Sequence, residues 1–210
     1  MKEIRIVATQ FYYECPCWLI EDRSIQLVKI KGNCTKEEVD ALLYGILGYN
    51  DIDLSTNPKE SLTALMENMR EGEVIMSGGL LFQEDQHIIM PSCCCGLEQW
   101  KEIVSDIQAK RKPWLGHDPW GTCIYENDKT IVCSDDVNSY KTEEKEKIAA
   151  NLVQITFTDS ELDRFFHQIE LDMQEFVFGP LRTRLLELVP EIATEFCAAW
   201  LFCFCEKNIF

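Results

Sequence analysis

Residues 73–110 constrain the fold most strongly. They read EVIMSGGLLFQEDQHIIMPSCCCGLEQWKEIVSDIQAK. Two apolar runs, Val74 to Phe82 and His87 to Met90, are separated by the polar break Gln83-Glu84-Asp85-Gln86. That pattern predicts a β-hairpin. Pro91 closes the second strand, Ser92 and Cys93-Cys94-Cys95 make a corner, and Leu97, Trp100, Ile103, Val104 and Ile107 recur at helical spacing. The triple cysteine is therefore expected at the N-terminus of a helix running from Leu97 to Lys110.

The rest of the chain can be placed around this unit. Ile4, Ile6 and Ala8 alternate with polar residues, and Trp18–Ile20 and Ile25–Ile30 flank a turn at residues 21–24, so three short strands are expected to open the chain. Thr35 and Glu38 form a capping box ahead of Val39, Leu42, Leu43, Ile46 and Leu47, which predicts a helix of about three turns. A polar loop over Asn50–Thr56 leads to Asn57-Pro58, an N-cap followed by proline at the first helical position, and then to a second helix ending near Gly72. Residues 111–121, RKPWLGHDPWG, are too rich in proline and glycine for regular structure. A second hairpin is expected over Thr122–Tyr125 and Thr130–Cys133, and a strand over Leu152–Phe157. A second capping box, Thr158 with Glu161, opens the cleanest amphipathic helix of the chain. Gly179-Pro180 should kink or end it, and a final helix over Glu191–Cys205 is apolar on all sides. Hairpins come early and helices dominate late, so the class is α+β with a mostly antiparallel sheet. We expect a single domain over 1–210, with 159–210 as a helical C-terminal lobe.

Composition narrows the function classes. The net charge of −16 would repel phosphate backbones and anionic membranes, which argues against nucleic-acid binding, while it steers basic proteins toward the surface. The longest apolar run, Phe196 to Cys205, is too short to span a bilayer, and Met1 leads into alternating residues instead of a signal peptide. No membrane association and a cytoplasmic location are expected. The eleven cysteines are odd in number and irregularly spaced, unlike the disulfide framework of a small secreted domain.

Two constellations carry chemistry. Cys93, Cys94 and Cys95 sit where a helix dipole favours a thiolate, which would make a nucleophile or a metal ligand. The competing role for them is one helix cap and packing in the core. Cys15 and Cys17, two apart, would share a face of a strand and could offer both thiolates to one ion, and Cys15, Cys17, His87 or His117 could complete a zinc site built on the Cys93–Cys95 corner. His117-Asp118 beside a cysteine also matches a cysteine hydrolase in outline. The second constellation is the stiff loop bearing Trp114, His117, Asp118 and Trp120, whose aromatic side chains either anchor a protein partner or fold back over the sheet. No Walker loop, dinucleotide fingerprint, HExxH or GxSxG pattern occurs, which favours a binding protein over an enzyme.

From Gly78 to Trp120 the order GGLLF, HIIMPSCCCGLEQW, PWLGHDPW resembles uncharacterised bacterial proteins with a cysteine-rich turn, Gly-Leu-Glu and a tryptophan, then a Gly-His-Asp-Pro loop. Some families of this kind are similar to immunity proteins that neutralise polymorphic toxins. The resemblance implies a shared fold and transfers no activity. The expected function is a non-enzymatic, acidic protein-binding module that docks a basic partner. The alternative is a zinc-binding or reactive-thiol protein built on the Cys93–Cys95 corner.

Overall fold

The computed structural model describes residues 1–54 and 57–206. Ser55 and Thr56, the end of the loop expected at Asn50–Thr56, lie outside the described residues, as do the last four residues of the expected C-terminal lobe.

The chain opens with β1 (Lys2–Thr9), whose Ile4, Ile6 and Ala8 are buried as the alternation requires. Only one further strand precedes the first helix, β2 (Leu27–Lys29). Residues 18–20 are not a strand, because their polar groups are satisfied elsewhere. The Leu19 N–H bonds the Pro16 carbonyl, and the Ile20 N–H donates to the Asp40 carboxylate at 2.8 Å. Asp40 is fully buried in α1 (Lys36–Tyr49) and is gripped from the other side by Arg184, with Nε–Oδ1 at 2.6 Å and Nη2–Oδ2 at 3.0 Å. Arg184 also donates to the Trp18 carbonyl. One buried ion pair thus ties the irregular segment to the C-terminal helices. The capping box of Thr35 and Glu38 is formed, and α2 (Pro58–Glu71) starts on an Asn57 cap and stops at Gly72, whose φ of 73° is the left-handed C-terminal turn.

The central hairpin is β3 (Gly78–Glu84) and β4 (His87–Ile89). Strand pairing begins four residues later than the apolar run at Val74. The Ile75 N–H goes to the Asn50 side chain and the Met76 N–H to the Glu98 carboxylate, so these residues have no ladder to join. The first sheet has the order β2-β1-β3-β4, all antiparallel, with Ile4 opposite Phe82 and Ile6 opposite Leu80. After a 3₁₀ turn at Leu97–Gln99 comes α3 (Trp100–Gln108). The second hairpin, β5 (Thr122–Glu126) and β6 (Lys129–Cys133), is joined by β7 (Gln154–Thr158) into a separate antiparallel sheet of order β5-β6-β7. The rings of Phe82 and Phe157 pack 6.2 Å apart and connect the two sheets. Between β6 and β7 lies α4 (Thr142–Ala150), which buries no residue and is the solvated face its acid run suggests.

Helix α5 (Asp159–Phe176) begins on the Thr158–Glu161 capping box. Gly179-Pro180 does not end it. Proline has no N–H to donate and crowds the preceding turn, and a π-helical turn over Val177–Leu181 widens the coil enough to run on into α6 (Arg182–Leu188). The last helix, α7 (Ala193–Leu201), passes into another π turn over Phe202–Glu206. Trp200 is fully buried there, its ring 4.7 Å from that of Phe204, whose carbonyl accepts the Trp100 Nε1–H at 2.7 Å. The result is α+β, with two small antiparallel sheets and a helical C-terminal segment. No helix among the described residues is long and apolar enough to cross a membrane.

Candidate functional site: a thiol–imidazole corner under an aromatic loop

Beyond β4 the chain reverses through Ser92–Cys95, closed by the Cys95 N–H on the Ser92 carbonyl at 3.3 Å. Cys94 adopts a φ of 63°, a left-handed conformation uncommon outside glycine. In an extended chain neighbouring side chains point to opposite faces, and this turn lets Cys93 and Cys94 depart from that rule. The corner is docked on the entry to β3, with the Gly78 N–H on the Cys95 carbonyl and the Leu97 N–H on that of Met76. No cysteine caps the helix. Gly96 does, its N–H taken by the Gln99 side chain at 3.1 Å, and α3 proper starts only at Trp100. The thiols are therefore displaced from the helix dipole that the sequence pattern assigned to them. The Cys93 thiol is pushed up, not down, by reduced hydration, by Cys94 and by the nearby Asp118 carboxylate. Cys95 is buried, and its burial pushes the thiol up to about 11.

Residues 111–121 close over this corner without regular structure. The Ser92 hydroxyl donates to the Leu115 carbonyl at 2.9 Å, and Trp114 Nε1–H reaches the Cys94 carbonyl at 3.3 Å. Between them Gly116 has a φ of 87°, and a Cβ there would lie 2.0 Å from Ser92 Oγ and 2.6 Å from the Cys93 carbonyl oxygen. Only glycine fits both the conformation and the space. The consequence is that His117 Nδ1 lies 3.7 Å from Cys93 Sγ, and ligand atoms of Cys93, Cys94 and His117 all fall within 4.8 Å of one another.

The imidazole sits in a ring cluster. Trp114 stacks on His117 with centroids 6.2 Å apart and planes 22° from parallel, and Trp120 meets both rings edge-on. Trp114 and Trp120 remain 44% and 40% exposed, so they do not fold back into the core. The Trp120 N–H bonds Asp135, which also accepts from the Tyr140 hydroxyl, and this anchors the far end of the loop. Asp118 makes no hydrogen bond to the imidazole among the described residues, so the adjacent carboxylate does not orient the ring.

The other ligands considered from sequence stay away. Among the described residues the cluster able to hold an ion consists of Cys93, Cys94 and His117. Cys15 and Cys17 lie on a turn instead of a strand, so they share no strand face. Burial and the Glu21 and Asp40 carboxylates push the Cys15 thiol up to about 11, and Cys17 points to solvent. His87 is on the exposed edge strand β4. The sequence placed Ser92 in the corner but did not reveal its bond to Leu115, nor the close approach of Gly116, which together fix the loop on the corner. Sequence reasoning also passed over Glu98, a half-buried carboxyl that lines the groove beside the cysteines and is held above the usual carboxylate range by loss of hydration. A glycine between two tryptophans was the one signal available for that closure.

No protein-family model matches this chain, and no curated protein or solved structure matches it significantly.

Proposed function

We propose that this protein is a non-enzymatic docking module for a basic protein partner, engaged through the Trp114–His117–Trp120 edge. The observation that supports this reading is the exposed ring cluster itself. Two tryptophans left 44% and 40% exposed are held in mutual contact with a histidine by main-chain and side-chain hydrogen bonds. Large aromatic side chains fixed in place before binding lose little freedom on association, which is why tryptophan dominates interface energetics. Exposed Met90, in one crevice with Pro119, extends the apolar face beyond the rings. Over the whole chain, 36 acidic residues against 20 basic ones set a field that speeds encounter with a cationic protein. An immunity-type role, in which docking neutralises the basic partner, is one form that this function would take.

The test is a selection of binders from a display library of small folded domains against the wild-type protein, repeated against Trp114→Ala/Trp120→Ala. Recovered binders should be basic, should dissociate as salt rises through the physiological range, and should bind the double variant at least about tenfold more weakly. Binders that are neutral, insensitive to salt or indifferent to the two tryptophans would overturn the proposal.

A further inference from the structure

We propose that Cys93, Cys94 and His117 form a three-ligand site for a zinc-class ion, with the fourth coordination position open. This goes beyond partner docking and is independent of it. The argument begins with distance. Zinc bonds of about 2.3 Å to sulfur and 2.0–2.1 Å to nitrogen, arranged tetrahedrally, place neighbouring ligand atoms about 3.5–3.8 Å apart. His117 Nδ1 and Cys93 Sγ are already 3.7 Å apart, and the whole set lies within 4.8 Å, a spacing that small rotations of exposed side chains can close.

The donor set selects the ion. Two thiolates and an imidazole suit zinc and disfavour magnesium or calcium, which take oxygen ligands. Binding replaces two thiol protons, released to solvent, by one divalent cation, so the loaded site is neutral. It would then also offset the Asp118 carboxylate beside it.

The backbone supplies the preorganisation. The left-handed turn at Cys94 and the glycine-only approach at Gly116 set the corner against the loop. The Ser92–Leu115 and Trp114–Cys94 hydrogen bonds hold it there, and Trp114 fixes the plane of the imidazole by stacking. With three protein ligands at the surface, the site differs from a closed structural centre, which uses four. Cys93, Cys94 and Cys95 also line a groove of about 360 Å³ that runs to Gln10 and Tyr49, so a small molecule can approach the corner.

Cobalt(II) is the probe, because thiolate ligation gives it intense near-ultraviolet charge-transfer absorption. Reduced, metal-stripped protein titrated with cobalt should develop that band with about one equivalent bound, and zinc should abolish it by displacement. Cys93→Ser, Cys94→Ser and His117→Gln should each bind about 100-fold more weakly or worse, while Cys17→Ser, at an exposed thiol elsewhere, should match the wild type. Far-UV circular dichroism verifies that the variants are folded. Absence of the band in wild-type protein, an undiminished band in folded Cys93→Ser, or its loss in Cys17→Ser would each overturn the site. No partner enters this measurement, so it can fail while docking stands, and the reverse.

Discussion

Cysteines lie one residue apart at three places, and two of these, an irregular corner and a helical turn, differ in what reaches their thiols. At Cys93 and Cys95 the chain is irregular, Cys94 between them is exposed, and an imidazole comes within 3.7 Å of Cys93. At Cys203 and Cys205 the chain is a π-helical turn packed under Trp200, Cys203 is buried, and burial pushes the Cys205 thiol up to about 12. The spacing is shared and the backbone is not. In the helical turn the two side chains diverge and Cys203 enters the core, whereas at the corner Cys95 is buried and a left-handed residue and a glycine set Cys93 and the exposed Cys94 beside a ligand from a different loop. Thiol chemistry in this protein is decided by backbone conformation, and cysteine spacing alone does not report it.

The largest expected difference is kinetic. At pH 8 a thiol with a pKa of about 12 holds roughly a thousandfold less thiolate than an ordinary cysteine, and burial slows it further. Alkylation of native, metal-free protein followed by mass spectrometry should therefore label Cys17 and Cys94 first, with Cys93 trailing, and Cys203 and Cys205 only on unfolding. Equal rates at Cys94 and Cys205 would erase the contrast.

The second way to sharpen it is to damage one side alone. Trp200→Ala removes a side chain with 0% exposure that touches Phe176, Phe196 and Phe204, and should cost about 3–5 kcal/mol in denaturant unfolding. Alkylation of Cys203 and Cys205 should accelerate in this variant, while Cys93 and Cys94 keep their wild-type rates. A uniform acceleration at all four would mean that the corner has no stability of its own apart from the C-terminal helices.

Much of this architecture was legible in the residues. Both capping boxes, the Asn57-Pro58 start, the glycine stop at Gly72 and the two hairpins are local signals, decided within a few residues, and each appears where its chemistry puts it. What failed was decided at long range. Residues 18–20 have the composition of a strand but give an N–H to Asp40, itself held by Arg184, 144 positions away in sequence. Ile75 and Met76 likewise give their N–H groups to the Asn50 and Glu98 side chains. At the candidate site the individual residues could be nominated from their types, but the meeting of Cys93 with His117 depends on the φ angles of Cys94 and Gly116, which no periodicity encodes. Cys15 and Cys17 would share a face only on a strand, and the chain there is irregular and enters the turn closed by the Leu19 N–H on the Pro16 carbonyl.

The smallest effect concerns Glu98, whose carboxyl lines the groove beside the corner. It accepts the Met76 N–H at 3.2 Å, and loss of hydration still leaves its pKa above the ordinary carboxylate value. A folded-state pKa above the unfolded one means that the neutral form stabilises the fold. That contribution is complete below the unfolded pKa and is lost as pH rises through the folded one. Glu98→Gln removes this titration while keeping an oxygen acceptor for Met76. Whatever constant offset the amide introduces, the unfolding free energy of the variant relative to wild type should increase between pH 4 and pH 7, by well under the packing loss of Trp200→Ala. Urea unfolding of both proteins at matched pH measures it. A difference that falls over this range would mean that the Met76 and Glu98 N–H groups stabilise the ionised carboxylate by more than loss of hydration disfavours it. A flat difference would mean that the two effects cancel.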